Sequence, residues 1–277
     1  PPLGDYLFFT NHVTLTKRSN PRAPHYERVD KGNLISASGE LPLRTEAHDR
    51  AAIEDPARFF ADVLRQRLIE KQIQVEGKAL SSLQMDGPVP SIDLQLGRHC
   101  SPPLEKLLAF MLQHDSALEA EVVFKTLGAQ LEGSGPGSFE TGCRAVDRYL
   151  GRRLRLPTGY RVIVDGSGRS ALNCLSARNL VELMRRVRRG DHGVVYSRLF
   201  PRAGSRGVLE GRLQTHEGTP PPIQTVAASG HGVEALAGWA ESGLGRELLF
   251  VFIVNDSSEP PGIVRRQLDR LALSLTR

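Results

Sequence analysis

Cysteine is scarce in this chain, at three among 277 residues, and no two stand in a C-x-x-C pair. That excludes a zinc ribbon and a dithiol redox motif, and Cys100, Cys143 and Cys174 allow one disulfide at most. No H-E-x-x-H is present, and His216 and His231 are not at metal-ligand spacing. No metal and no cofactor are therefore expected. Long apolar runs are missing too. The longest, Leu248 to Val254, has the length of a strand, so no membrane span is expected. The single tryptophan, Trp239, reads as core packing. The chain opens on Pro1 without a signal-peptide pattern, which reads as a mature or truncated product. No internal repeat is visible.

What is present suits a folded domain or two. Hydrophobic residues make up 40% and charged residues 24%, the usage of a globular protein with a sizeable core. The net charge is +5, and the excess is local. Arg144 to Arg212 holds sixteen arginines against five acidic residues: Asp147, Asp165, Glu182, Asp191 and Glu210. Such a face attracts polyanions. The plainer reading is a solvated helix face, with Arg185, Arg186, Arg188 and Arg189 favoured near a helix C-terminus by its dipole.

Periodicity places the elements. His12 to Thr16 and Asn33 to Gly39 read as strands. Asp55 can cap a helix that starts at Pro56 and carries Phe59, Phe60, Val63, Leu64 and Leu68 inward. Residues 78 to 97 read as a linker with a possible strand at Ile92 to Leu96. Ser101-Pro102-Pro103 opens a second helix, with proline inside its first turn and a stripe from Leu104 to Leu112. Ser116 and Glu119 have capping-box spacing for a third helix, which Gly128 should end. A fourth spans Phe139 to Leu150. Val162 to Val164 reads as a strand leading into the turn Asp165-Gly166-Ser167-Gly168. Ser176 caps another helix, facing inward with Leu180, Leu183, Met184 and Val187. Val208 to Thr215 is a candidate strand. Leu236 to Trp239 and Glu247 to Val254 form a hairpin about Glu241-Ser242-Gly243, and a closing helix covers Ile263 to Leu275. Helices followed by antiparallel strands and a terminal helix argue an α+β fold.

Several landmarks occur in an order that resembles the serine D-Ala-D-Ala carboxypeptidase/endopeptidase family, the class C low-molecular-mass penicillin-binding proteins. Ser101 to Leu104 followed by Ala120 to Gly128 resembles the family's paired helices. Asp165 to Asn173 is similar to its Asp-Gly-Ser-Gly-x-Ser-Arg-x-Asn turn, in which Ser170 keeps the second serine. Asn11 to Thr14, Ile35 to Pro42 and Glu54-Asp55-Pro56 resemble the accessory domain inserted in the catalytic domain. The resemblance implies a transpeptidase/β-lactamase-like core over residues 96–277 and part of a smaller, β-rich accessory domain over residues 1–95. It also implies export to the periplasm and a role in peptidoglycan metabolism.

Such enzymes need three motifs around one cleft. In Ser-x-x-Lys, serine attacks the D-Ala-D-Ala carbonyl and lysine eases its deprotonation. Ser-x-Asn relays a proton and holds the substrate amide. A Lys-Thr-Gly strand binds the substrate carboxylate. The resemblance puts Ser-x-x-Lys upstream of Pro1. It puts Ser-x-Asn at Asp115-Ser116-Ala117, where an aspartate replaces the relay serine and a methyl group replaces the amide-binding asparagine. It puts Lys-Thr-Gly at His216-Glu217-Gly218, followed by Thr219, and Pro220-Pro221-Pro222 then departs from the apolar strand expected next. Glu217 would repel a substrate carboxylate.

Local readings of these residues are plain. Ser116 with Glu119 reads as a helix cap. Adjacent His216 and Glu217 on a strand would face opposite ways and not form an acid/base pair. The turn Asp165, Gly166, Ser167, Gly168 and Ser170 reads as structural. The expected protein is a penicillin-binding-like one without catalytic residues of its own, binding peptidoglycan or a cell-envelope protein. The alternatives are an active enzyme with its nucleophile upstream, and a polyanion binder using the arginine face, although nucleic acid is not the expected partner.

Overall fold

The computed structural model describes residues 6–18, 21–29, 33–47, 52–87, 95, 97–131, 133, 135–156, 161–215, 220–230 and 232–277. The chain divides into two compact units, Pro1–Arg98 and His99–Arg277. The expected strand at Ile92 to Leu96 lies almost wholly outside the described residues.

In the first unit, β1 (Phe8–Thr16), β2 (His25–Val29) and β3 (Leu34–Pro42) form one sheet in the order β1-β3-β2. β1 runs parallel to β3, and β2 antiparallel to it. β2 was not legible, because His-Tyr-Glu-Arg-Val offers only two apolar residues. Helix α1 (Pro56–Glu70) starts where Asp55 predicts: its Oδ1 accepts from Arg58 N at 3.0 Å. Its apolar stripe is not wholly inward, however. Phe60 is 69% exposed.

The second unit has helices on both faces of an antiparallel sheet, β4 (Ile223–Gly230), β5 (Val233–Glu241) and β6 (Glu247–Asn255), in that order. This α+β layering is the expected class. The β5–β6 hairpin turns at Ser242, whose N–H donates to Arg246 O at 2.8 Å. β4 is the strand that the proline run obscured. Its ladder begins directly after Pro222, since a proline can precede a strand without removing a bond from it.

Period-two alternation sends the two sides of each strand to different cores. On one face, Ile223, Ala227, Leu236, Ala240 and Phe250 pack with Val264, Leu268 and Ala272 of α7 (Pro261–Ser274). On the other, Val226, Ala237 and Trp239 meet Leu108 and Leu112 of α2 (Leu104–His114), Met184 of α5 (Ala177–Arg189) and Leu199 of α6 (Gly193–Leu199). Trp239 is buried, edge-on to Phe200 with ring centroids 4.4 Å apart. As expected, Ser176 caps α5, accepting from Asn179 N at 3.2 Å.

Four local expectations are corrected. Val208 to Thr215 is a series of turns. Gly207 (φ 98°), Gly211 (φ 73°) and Leu213 (φ 54°) all lie in left-handed conformations that a strand excludes. Leu209 and Leu213 are buried there all the same. Val162 to Val164 makes a single bridge, Val162 to Cys174, not a strand. Pro103 is the N-cap of α2, so both prolines precede that helix. Gly128 does not end α3 (Ala117–Leu131). It is where α3 crosses α4 (Phe139–Arg148): a Cβ on Gly128 would stand 2.6 Å from Gly142 N, and one on Gly142 would meet the Phe124 ring at 2.5 Å. The glycine serves close helix approach rather than termination.

Candidate functional site

The site grows from the junction of α2 and α3. Asp115 closes α2 in a left-handed conformation, φ 48° and ψ 46°, which short polar side chains tolerate best. Ser116 N donates to Met111 O at 3.1 Å, and Ala120 N to Ser116 O at 3.2 Å, so the chain turns directly into α3. The Ser116 hydroxyl is spent on the Glu119 carboxylate. Ala117 is the first residue of α3.

Against this junction lies the glycine turn. Asp165 organises it from within: Oδ1 accepts from Gly168 N at 2.7 Å and Asn173 Nδ2 at 2.8 Å, and Oδ2 from Ser170 N at 2.7 Å. Glu121 of α3 ties it from outside. Its carboxylate accepts from Gly166 N at 3.0 Å, Ser167 N at 3.3 Å and Ser167 Oγ at 2.6 Å. Gly166 sits hard against α3, where a Cβ would come within 2.4 Å of Phe124 Cβ. Ser167 thus spends its hydroxyl on the same carboxylate that holds its backbone N–H, a contact that fixes the turn.

Arg169 follows from this anchored turn. Its Nη2 lies 3.4 Å from Asp115 Oδ2, with the arginine side chain 50% and the aspartate 29% exposed. A Cβ on Gly230, at the end of β4, would stand 4.0 Å from Arg169 Nη1. The structure therefore brings together Asp115, Arg169 and the end of β4. Burial pushes the Asp115 carboxyl above the usual aspartate range, and the Arg169 charge opposes that shift.

β4 is an edge strand with a partly covered edge. Ala203 N donates to Ile223 O at 3.0 Å, and Thr225 N to Pro201 O at 2.9 Å. Alternation turns the backbone groups of Ala227 and Ser229 the same way. Among the described residues no backbone group meets them there.

His216, Glu217, Gly218 and Thr219 lie outside the described residues. The strand nearest α2 is β4, and its sequence, Ile-Gln-Thr-Val-Ala-Ala-Ser-Gly, contains no lysine. None of Ser-x-x-Lys, Ser-x-Asn and Lys-Thr-Gly occurs anywhere in the 277 residues. Among the described residues, no group of three or more His, Cys, Asp or Glu is placed to hold a metal ion, and no helix is long and apolar enough to cross a membrane.

Over residues 1–275 the chain matches the D-Ala-D-Ala carboxypeptidase 3 (S13) family. The chain belongs to that family. It is 26% identical over 237 residues to a D-alanyl-D-alanine carboxypeptidase of Actinomadura sp. (strain R39), covering 82% of this chain and 42% of the relative. It is 24% identical over 236 residues to penicillin-sensitive carboxypeptidase A of Dictyostelium discoideum, covering 81% and 43%. The chain thus spans less than half the length of these curated relatives. Its fold is shared with penicillin-binding protein 4 of Haemophilus influenzae, at a TM-score of 0.74 and 21% identity, over 99% of this chain and 61% of that one.

Sequence reasoning missed two residues of this site. Glu121 was visible only as part of a helix landmark, although a carboxylate 45 residues before a glycine turn gives no local signal. Arg169 stood at the variable position of the turn pattern, while Ala171 stands where that pattern has arginine. The displaced cation was the available clue. Other arginines of the basic region are paired as well: Arg185 and Arg186 on Glu182, Arg161 on Asp147, Arg212 on Asp269, and Arg188 on Glu247 and over the Trp239 ring.

Proposed function

We propose that this S13-family chain is a non-catalytic, exported cell-wall protein that binds peptidoglycan stem peptides through the cleft its relatives use for hydrolysis. The observation that carries this reading is the state of the cleft. Asp115 stands at the relay-serine position, already paired to Arg169, and Ala117 offers no amide where asparagine is expected. A carboxylate tied to a guanidinium is a poor proton relay, and a methyl group cannot orient a scissile amide. The outer edge of β4 at Ala227 and Ser229 supports binding without catalysis, because an extended peptide can add to such an edge by main-chain hydrogen bonds. A domain organisation of accessory residues 1–95 and penicillin-binding residues 96–277 belongs to the same reading.

One observation favours a second reading. The curated relatives are more than twice the length of their matched region, which leaves room for a Ser-x-x-Lys outside these 277 residues. Labelling of the full-length protein with a fluorescent penicillin separates the two. No covalent label is expected, while pull-down with purified sacculi should retain the protein. Stoichiometric labelling would establish the active enzyme instead. Retention on DNA that falls steeply with salt, without retention on sacculi, would favour the polyanion reading.

A further inference from the structure

We infer that Arg169 is the carboxylate anchor of this cleft, selecting peptides with a free C-terminus, and that Asp115 competes with the ligand for it. The inference rests on the peptide-binding reading above and names the group that would fix the peptide's end.

A peptide lying on the edge of β4 at Ala227 and Ser229 reaches Gly230 at one end, where a Cβ would stand 4.0 Å from Arg169 Nη1, while the nearby Arg265 is engaged by Glu234 and Ser229. Its guanidinium stands at van der Waals distance from the space a side chain on residue 230 would fill, so the glycine leaves the approach open. Arg169 is aimed by a rigid base. Ser167 before it and Ser170 after it are both tied to carboxylates, Glu121 and Asp165. Half of its side chain is exposed, and its bond to Asp115 is long, at 3.4 Å. A guanidinium carries five N–H donors in a fixed fork, so one long contact leaves donors to offer a second carboxylate.

Asp115 is the internal stand-in for that ligand. Its carboxylate is more buried than its partner and lies against the same guanidinium. When a peptide carboxylate arrives, Arg169 must share or exchange partners. Removing the Asp115 charge while keeping the side chain's shape therefore frees Arg169 for the ligand.

The test is calorimetric binding of an N-acetylated peptide ending in D-Ala-D-Ala, as the free acid and as the C-terminal amide, to the full-length protein. Wild type should prefer the acid by about tenfold, the scale of one charge-assisted contact at a half-exposed site. Arg169→Ala should abolish the preference by weakening only the acid, and Arg169→Lys should restore part of it. Asp115→Asn should tighten the acid and leave the amide unchanged. Equal binding of the two forms by wild type, or a preference that survives Arg169→Ala, would overturn the inference while leaving the peptide-binding reading intact. Binding of neither form would overturn both. Thermal unfolding of each variant shows whether it is folded, and the amide serves as the internal control for binding competence.

Discussion

Ser167 Oγ donates to Glu121 Oε1 at 2.6 Å, and through that bond helix α3 holds the glycine turn that launches Arg169. Two backbone N–H groups of the turn rely on the same carboxylate. Glu121→Ala should therefore cost about 1.5–3 kcal/mol, since donors bonded to a charged acceptor lose it together. Urea denaturation checks the loss. The peptide preference assigned to Arg169 should weaken in the same variant, because the base of that arginine is no longer fixed.

Gly128 gives a prediction of decided sign. If it merely ended α3, alanine there would be harmless, and in a helix interior it would gain up to about 1 kcal/mol in propensity. The structure puts a Cβ 2.6 Å from Gly142 N and 2.7 Å from Thr141 C, both backbone atoms that cannot step aside. Gly128→Ala should thus destabilise by about 1–3 kcal/mol, as overpacking does. Equilibrium denaturation reads the sign directly.

Glu234 is buried on β5 and bound on two sides. Its Oε2 accepts from Arg265 Nε at 2.9 Å and its Oε1 from Ser229 Oγ at 2.6 Å. Burial alone would raise its pKa, but Arg265 and Ser229 outweigh it and hold the carboxyl below the usual glutamate range. A depressed carboxylate stabilises the fold above its unfolded pKa, and that contribution is lost as pH falls through the folded one. Arg265→Met should cost about 1.5–3 kcal/mol at neutral pH, and the difference from wild type should shrink below the ordinary carboxylate range. Denaturation at pH 7 and pH 3 tests both parts.

Asp115 behaves in the opposite sense. Its raised carboxyl pKa means that the folded state binds a proton more readily than the unfolded chain. That contribution is present below the unfolded pKa and is lost as pH rises through the folded one. Asp115→Asn, which also suits the left-handed backbone, should match or exceed wild-type stability at pH 7, by under about 1 kcal/mol, because the pair to Arg169 is half exposed. Thermal unfolding across pH 3 to 8 checks it.

Much of the fold was legible where one residue type answers one local question. Asp55, Ser176 and the β5–β6 turn were readable because caps and tight turns are decided within a few residues. Gly128 misled because a glycine near a helix end looks the same whether it stops the helix or admits a neighbour. Val208 to Thr215 misled because Leu209 and Leu213 are apolar for a core they enter from turns. β4 was hidden by prolines that belong to the segment before it. In the site, the turn at Asp115 and the start of α3 at Ala117 lie within a few residues of the Ser116–Glu119 cap signal. The contacts of Arg169 with Asp115 and Gly230 join residues 54 and 61 positions apart, and nothing local encodes them.

The proposed function requires that the cleft of this S13-family chain no longer acylates. Acylation of the full-length protein by a fluorescent penicillin, read by gel fluorescence and intact-mass spectrometry, tests it most directly. No mass increase and no covalent fluorescence are expected. A stable adduct on a serine, formed despite Asp115 and Ala117 where the proposed reading puts the relay serine and the amide-binding asparagine, would contradict it.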